Sequence, residues 1–203
     1  MELILNGERS AIDAHDCLNL AELIARAEAL EASGEANVVV AVEVDGEALS
    51  ADELDRLELR PLENVKRVRV ERRPSREIAY GVLEQGSDYT QRILAFVREI
   101  VDAYRDGKSE SANRGLADVL DSLTVLTGIT YSISGVLVDA ATELAALQGE
   151  IQPWLEEMLE AQQGEDLIRI ADLLEYEITP RIGQWGEAMT RLSSPSARAA
   201  GSR

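Results

Sequence analysis

The sequence predicts an α+β protein: a small mixed unit over residues 1–73, an antiparallel four-helix bundle over residues 74–192, and a disordered tail over residues 193–203. Three observations predict it. In the first part, apolar and polar residues alternate, as they do along strands with one buried face. From Ile78 onward apolar residues recur at threes and fours, the spacing of helices that share a seam. Gly107 and Gly164 interrupt that spacing with turns short enough to make neighbouring helices antiparallel. The chain has 203 residues, 45% of them hydrophobic, so each part can bury a core of its own.

Taken in order, Met1, Leu3 and Leu5 alternate with Glu2 and Asn6 as a first strand. Asn6-Gly7 is a hairpin signal, because both residues tolerate positive φ. A returning strand is expected over residues 10–14. Asn19, with Glu22 three residues on, caps a helix whose face carries Leu20, Leu23, Ile24, Ala27 and Leu30, and Gly34 ends it. Val38, Val40, Val42 and Val44 fall on one side of the next strand. Val39 and Ala41 make its other side apolar too, the mark of a central strand. Asp45-Gly46 repeats the hairpin signal, and Ser50 with Glu53 forms a capping box for a short helix over residues 51–57. Val65, Val68 and Val70 belong to a last strand, interleaved with Lys66, Arg67 and Arg69.

In the bundle, the first helix carries Val82, Tyr89, Ile93, Phe96, Ile100 and Ala103 or Tyr104. The second starts near Ser109 with Leu116, Val119, Leu120, Leu123 and Leu126. The third steps regularly from Ile133 through Leu137, Ala140, Leu144, Leu147, Ile151 and Trp154 to Met158. The fourth has Leu167, Ile170, Leu174, Ile178, Ile182, Trp185, Met189 and Leu192, with Glu165-Asp166 at its N-terminus, where the helix dipole favours acid. Residues whose numbers total about 215 should meet across the first turn, as Phe96 with Val119, and about 328 across the last, as Trp154 with Leu174. Residues 127–135 (TGITYSISG) are poor helix formers and read as the second connection, with one continuous helix as the rival reading. Pro153 and Pro180 predict kinks or new helix starts. The tail (SSPSARAAGSR) is small and polar.

The order hairpin, helix, strand, short strand, helical turn, strand over residues 1–73 resembles the β-grasp (ubiquitin-like) fold. The stretch Glu71-Arg72-Arg73-Pro74-Ser75 departs from ubiquitin-type modifiers, which end in Gly-Gly, so the resemblance implies recognition rather than conjugation. Residues 166–180 (DLIRIADLLEYEITP), with Trp185, resemble the C-terminal helices of bacterial cytoplasmic proteins. In outline they are also similar to small helical chaperones of flagellar export. That resemblance implies protein binding and brings no catalytic residues with it.

Charge and composition narrow the function. Lys and Arg number 20 against 38 Asp and Glu, a net charge of −18. Such a chain repels nucleic acid and anionic membranes, so neither is expected as a partner. A single cysteine, Cys17, and a single histidine, His15, exclude multi-Cys and His-pair metal sites, and no metal or other cofactor is expected. The lone thiol and the lack of a signal peptide predict a cytoplasmic location. No run of about 18 apolar residues marks a membrane helix; the nearest, residues 129–147, is broken by Asp139 and Glu143.

Each candidate site has a plainer reading beside it. His15 and Cys17 share a strand face as a nucleophile–base pair would, yet lack a third orienting group, and read as a loop before the first helix. Asp172, Glu175 and Glu177 read as a solvated face, and Trp154, Trp185, Tyr176, Tyr89 and Phe96 as bundle core. The basic group Lys66, Arg67, Arg69, Arg72, Arg73 and Arg76 stands out in an acidic chain. It reads as pairing with this protein's own acids or as a charged sheet edge, with Arg67, Arg69, Arg72 and Arg73 as the partner-binding alternative. The expectation is therefore a non-enzymatic, cytoplasmic, protein-binding adaptor or chaperone-like protein. Its alternative is a self-assembling helical protein, with a homodimer as its simplest form.

Overall fold

A computed structural model describes residues 1–12, 16–29 and 36–201. The chain divides into two compact units, Met1–Ile78 and Ala79–Arg203, each with its own buried cluster. Among the described residues the first unit holds a five-stranded sheet in the order β2-β1-β5-β3-β4. Strand β1 (Glu2–Leu5) runs parallel to β5 (Arg67–Pro74), and β2 (Glu8–Arg9), β3 (Asn37–Val44) and β4 (Glu47–Ala48) pair antiparallel with their neighbours. Helix α1 (Leu20–Ala29) lays Leu20, Leu23, Ile24 and Ala27 on a sheet face made by Leu3, Leu5, Val42, Val44, Val68 and Val70.

The local signals act through identifiable bonds. Asn6 and Gly7 have φ of 49° and 86°, Asp45 and Gly46 of 52° and 98°, as tight two-residue hairpins require. Each turn also reaches the central strand. The Asn6 side-chain oxygen accepts from the Arg72 amide at 2.7 Å, and Asp45 accepts from the Lys66 and Arg67 amides at 3.0 and 2.7 Å. The Asn19 side chain accepts from the Glu22 amide at 3.0 Å, a cap worth about 1 kcal/mol. Glu22 in turn accepts from the Leu18 amide at 2.8 Å.

Four expectations change in this unit. The returning strand is Glu8–Arg9, and the Ser10 amide makes the last bond, to the Leu3 carbonyl, while residues 13–14 lie outside the described residues, as do Leu30 and Gly34. The four valines of β3 do not share a face. A bulge between Val39 and Ala41 shifts the phase, so Val42 and Val44 are buried while Val38 and Val40 are exposed. The central strand is β5, with β3 beside it. The short helix α2 covers Ala51–Leu54, followed by a 3-10 turn at Leu57–Leu59.

The second unit is helical. The chain enters it within α3 (Ser75–Arg105), followed by α4 (Ser109–Ile133) and α5 (Val138–Gln163). A last rod comprises α6 (Leu167–Asp172), a π-helical segment (Leu173–Ile178) and α7 (Thr179–Leu192). Adjacent helices run antiparallel. Across the first turn Gly115 faces Ile100, and the Tyr104 hydroxyl donates to Asn113 at 2.7 Å, in the expected register. Late α3 meets α6 through Arg105 and Asp172, while early α3 meets late α7 through Ser87 and Thr190, whose hydroxyls lie 2.6 Å apart. Between α5 and the last rod, Arg169 pairs with Glu157 near the expected register. Further along, Arg181 lies over the Trp154 ring at 4.8 Å and Arg191 pairs with Glu143, both later in the rod than expected.

The helix ends also differ from expectation. Residues 127–133 are helical and finish α4, and residues 134–137 form the connection, so neither a loop at 127–135 nor one continuous helix describes the chain. The hydroxyls of Thr127 and Thr130 bond the carbonyls four residues back, at 3.0 and 3.4 Å, which satisfies them inside the helix. Pro153 is accommodated within α5. Pro180 follows the π segment, and the Thr179 hydroxyl donates to the Leu174 carbonyl at 2.7 Å in the widened turn. At the last connection the left-handed residue is Glu165, at φ 52°, not Gly164, and the Asp166 carboxylate accepts from the Arg169 amide at 3.0 Å. The tail is ordered over Pro195–Gly201 as helix α8, where Arg198 lies over the Tyr80 ring and pairs with Glu84.

Candidate functional site

The basic strand is the first place to look, because its charge opposes the rest of the chain. Residues of β5 alternate, so Val68 and Val70 point into the core and Arg67 and Arg69 point out. The exposed arginines meet carboxylates of neighbouring strands. The Arg67 Nε donates to Glu2 at 2.9 Å, and Arg69 donates to Glu43 at the same distance. Arg73 lies 4.0 Å from Glu77, and Arg72 donates to the Ala27 carbonyl, at the C-terminal end of α1 where a cation is favoured. Arg67, Arg69, Arg72 and Arg73 thus meet acids and backbone of their own unit, while the Arg76 Nε is buried with no acceptor among the described residues. Exposed pairs of this kind contribute about 0.2–1 kcal/mol each.

Cys17 is buried beside the sheet, while His15 lies outside the described residues. Among the described residues, no group of three or more His, Cys, Asp or Glu side chains is placed to hold a metal ion. Asp172 and Glu175 take Arg105 of α3, and Glu177 takes Arg181 one turn on at 3.0 Å. Hydrogen bonds to Tyr176 and then Glu175 raise the Arg105 guanidinium above its ordinary value, so this end of α3 is held to the π segment as a cation. Of the aromatics, Trp185 is 1% exposed and central to the core, and Trp154, Tyr89 and Phe96 pack partly buried against it. Tyr176 departs from expectation: it is 60% exposed, turned outward from the π segment.

The residues that sequence reasoning passed over lie on α4. From residue 122 to residue 138 no side chain is charged, in a chain where 29% are. One face of α4 buries Leu116, Val119, Leu123, Leu126 and Ile133. The outward side leaves Val125 at 52% and Tyr131 at 82% exposure, and Val138, at the start of α5, at 62%. Asp118, Asp121 and Asp139 are exposed at its two ends. The missing charge was a visible signal, but its Gly, Ser and Thr content read as a connection. Helix α4 is also the one described helix long and apolar enough to cross a membrane by length and composition; a core helix meets the same test. Residues 129–147, the nearest sequence candidate, are divided between α4 and α5.

These features define an α+β protein whose helical second unit carries an uncharged face on an acidic molecule. The chain belongs to the family described as Domain of unknown function (DUF8042), which matches residues 81–188 and thus lies within the helical unit. No curated protein and no solved structure matches it. The comparisons lend no support to a likeness to flagellar export chaperones.

Proposed function

We propose that this protein is a non-enzymatic, cytoplasmic adaptor or chaperone-like protein that binds the helix of a protein partner on the outer face of α4. One observation carries the reading: the uncharged run over residues 122–138 leaves Val125, Tyr131 and Val138 exposed. An uncharged surface costs little to desolvate, and its exposed apolar side chains leave water when a partner covers it. The acids at both ends favour a partner whose apolar helical stripe is flanked by Lys or Arg. The helical unit is read as a four-helix bundle, supported by α3, α4, α5 and the last rod following one another antiparallel. The first unit is read as β-grasp, supported by the order β2-β1-β5-β3-β4 with β1 and β5 parallel; it supplies a second recognition surface.

The test compares native chain with a Val125→Lys, Tyr131→Lys variant in capture from the source cells. Both positions are exposed, so the fold is retained. A discrete partner held by the native chain and lost from the variant supports the reading. The same proteins held by both overturn it. A second reading is favoured by the same face: two copies of charge −18 can approach there with least repulsion, so a self-assembling protein would use it as well. Retention of the chain's own copies alone would favour that reading.

A further inference from the structure

A groove of about 470 Å³ opens between α4, α5 and α7, within the range of small-molecule sites. Leu123 and Thr127 form one wall, Gln148, Gly149 and Gln152 the other, and Trp185 the floor. None of its lining residues is charged, in a molecule of net charge −18. One backbone feature gives it a polar point. Glycine has no side chain, so what Gly149 offers the groove is its own backbone. Its carbonyl also lacks the usual helical donor, because the residue four ahead is Pro153, which has no N–H. A side chain at Gly149 would meet nothing within 4 Å, so the groove is open where glycine stands.

We infer that this groove binds a neutral, compact, largely apolar small molecule bearing one hydroxyl or amide. The apolar body covers Leu123, Leu155 and the indole. The polar group donates to the Gly149 carbonyl, with the Gln148 amide beside it. A carboxylate is disfavoured, since no cation lines the groove and the whole field is negative. The inference goes beyond the partner-helix reading and does not use the exposed side chains of α4.

The test is calorimetric titration of the full chain with 2-naphthol, which is neutral at pH 7, and with its anionic counterpart 2-naphthoate. The expected result is saturable binding of 2-naphthol at a single site, with 2-naphthoate about tenfold weaker or worse. Gly149→Leu and Ala145→Leu, both at exposed helical positions, should each weaken 2-naphthol about tenfold by filling the groove, with circular dichroism and melting temperature retained. The Val125→Lys, Tyr131→Lys variant should bind 2-naphthol as the native chain does, which separates this inference from the proposed function. Absence of saturable binding, equal binding of 2-naphthoate, or unchanged binding in the leucine variants would overturn it. So would a change of oligomeric state in those variants without an effect on 2-naphthol, which would make the groove an interface between copies.

Discussion

Side chains that act on the backbone explain much of what was legible at single positions. Asn6, Asp45, Asn19 and Glu53 were readable as turn and cap residues because each has a short-range partner within a few positions. What the first two do for β5 was not readable, since the Arg72 and Lys66 amides are distant in sequence. Glu53 gives a prediction at this scale. Its carboxylate accepts from the Ser50 amide and hydroxyl, each at 2.9 Å, and those bonds, followed by Arg60, hold its carboxyl below the usual glutamate range. A lowered folded value means that the charged form is favoured in the native state. Its stabilising effect is present above the free glutamate value and is lost as pH falls through the lowered one. A carbon-detected NMR titration should place its midpoint below that of free glutamate, and Ser50→Ala should move it back up.

Helix pairing explains where the heptad reading succeeded and where it slipped. In α3 the buried positions 79, 83, 86, 90, 93, 97, 100 and 104 step by fours and threes without a break. The sequence reading found Ile93 and Ile100 but put Val82, Tyr89 and Phe96 in the seam, because the true seam contains Gly86 and Thr90, which are not aliphatic. Those two residues lie against α7. A side chain at Gly186 would collide with Thr90, and one at Gly86 would lie 2.6 Å from the Met189 sulfur. Gly186→Ala should therefore cost about 1–3 kcal/mol in urea unfolding, and Thr90→Ala should restore part of that loss in the same chain. Gly183→Ala, whose added methyl meets open space three residues earlier, should instead stabilise by about 0.5–1 kcal/mol. The π segment was not foreseen beyond a disturbance at Pro180, because a widened turn has no period of its own to read. Its consequence is Tyr176 facing outward rather than into the core.

Across the whole molecule, the apolar period changes from two to threes and fours; the sequence places the division at residues 73/74, and the two compact units meet in the chain at Ile78/Ala79. The surface was less legible. The arginines of β5 are conspicuous by their charge, yet Arg67, Arg69 and Arg73 meet acids of their own unit and Arg72 a backbone carbonyl. The uncharged face of α4 is conspicuous only by what it lacks, and it needed the helix to be drawn before Val125, Tyr131 and Val138 could be seen as outward-facing. The claim that this face receives a partner helix is tested most directly by a photo-crosslinking amino acid placed at position 131 in the source cells. The account predicts a light-dependent adduct of this chain with a second protein, joined through an amphipathic helix with basic flanks. An adduct containing only copies of this chain, or no adduct beyond that of a crosslinker on a charged helix face, would contradict it.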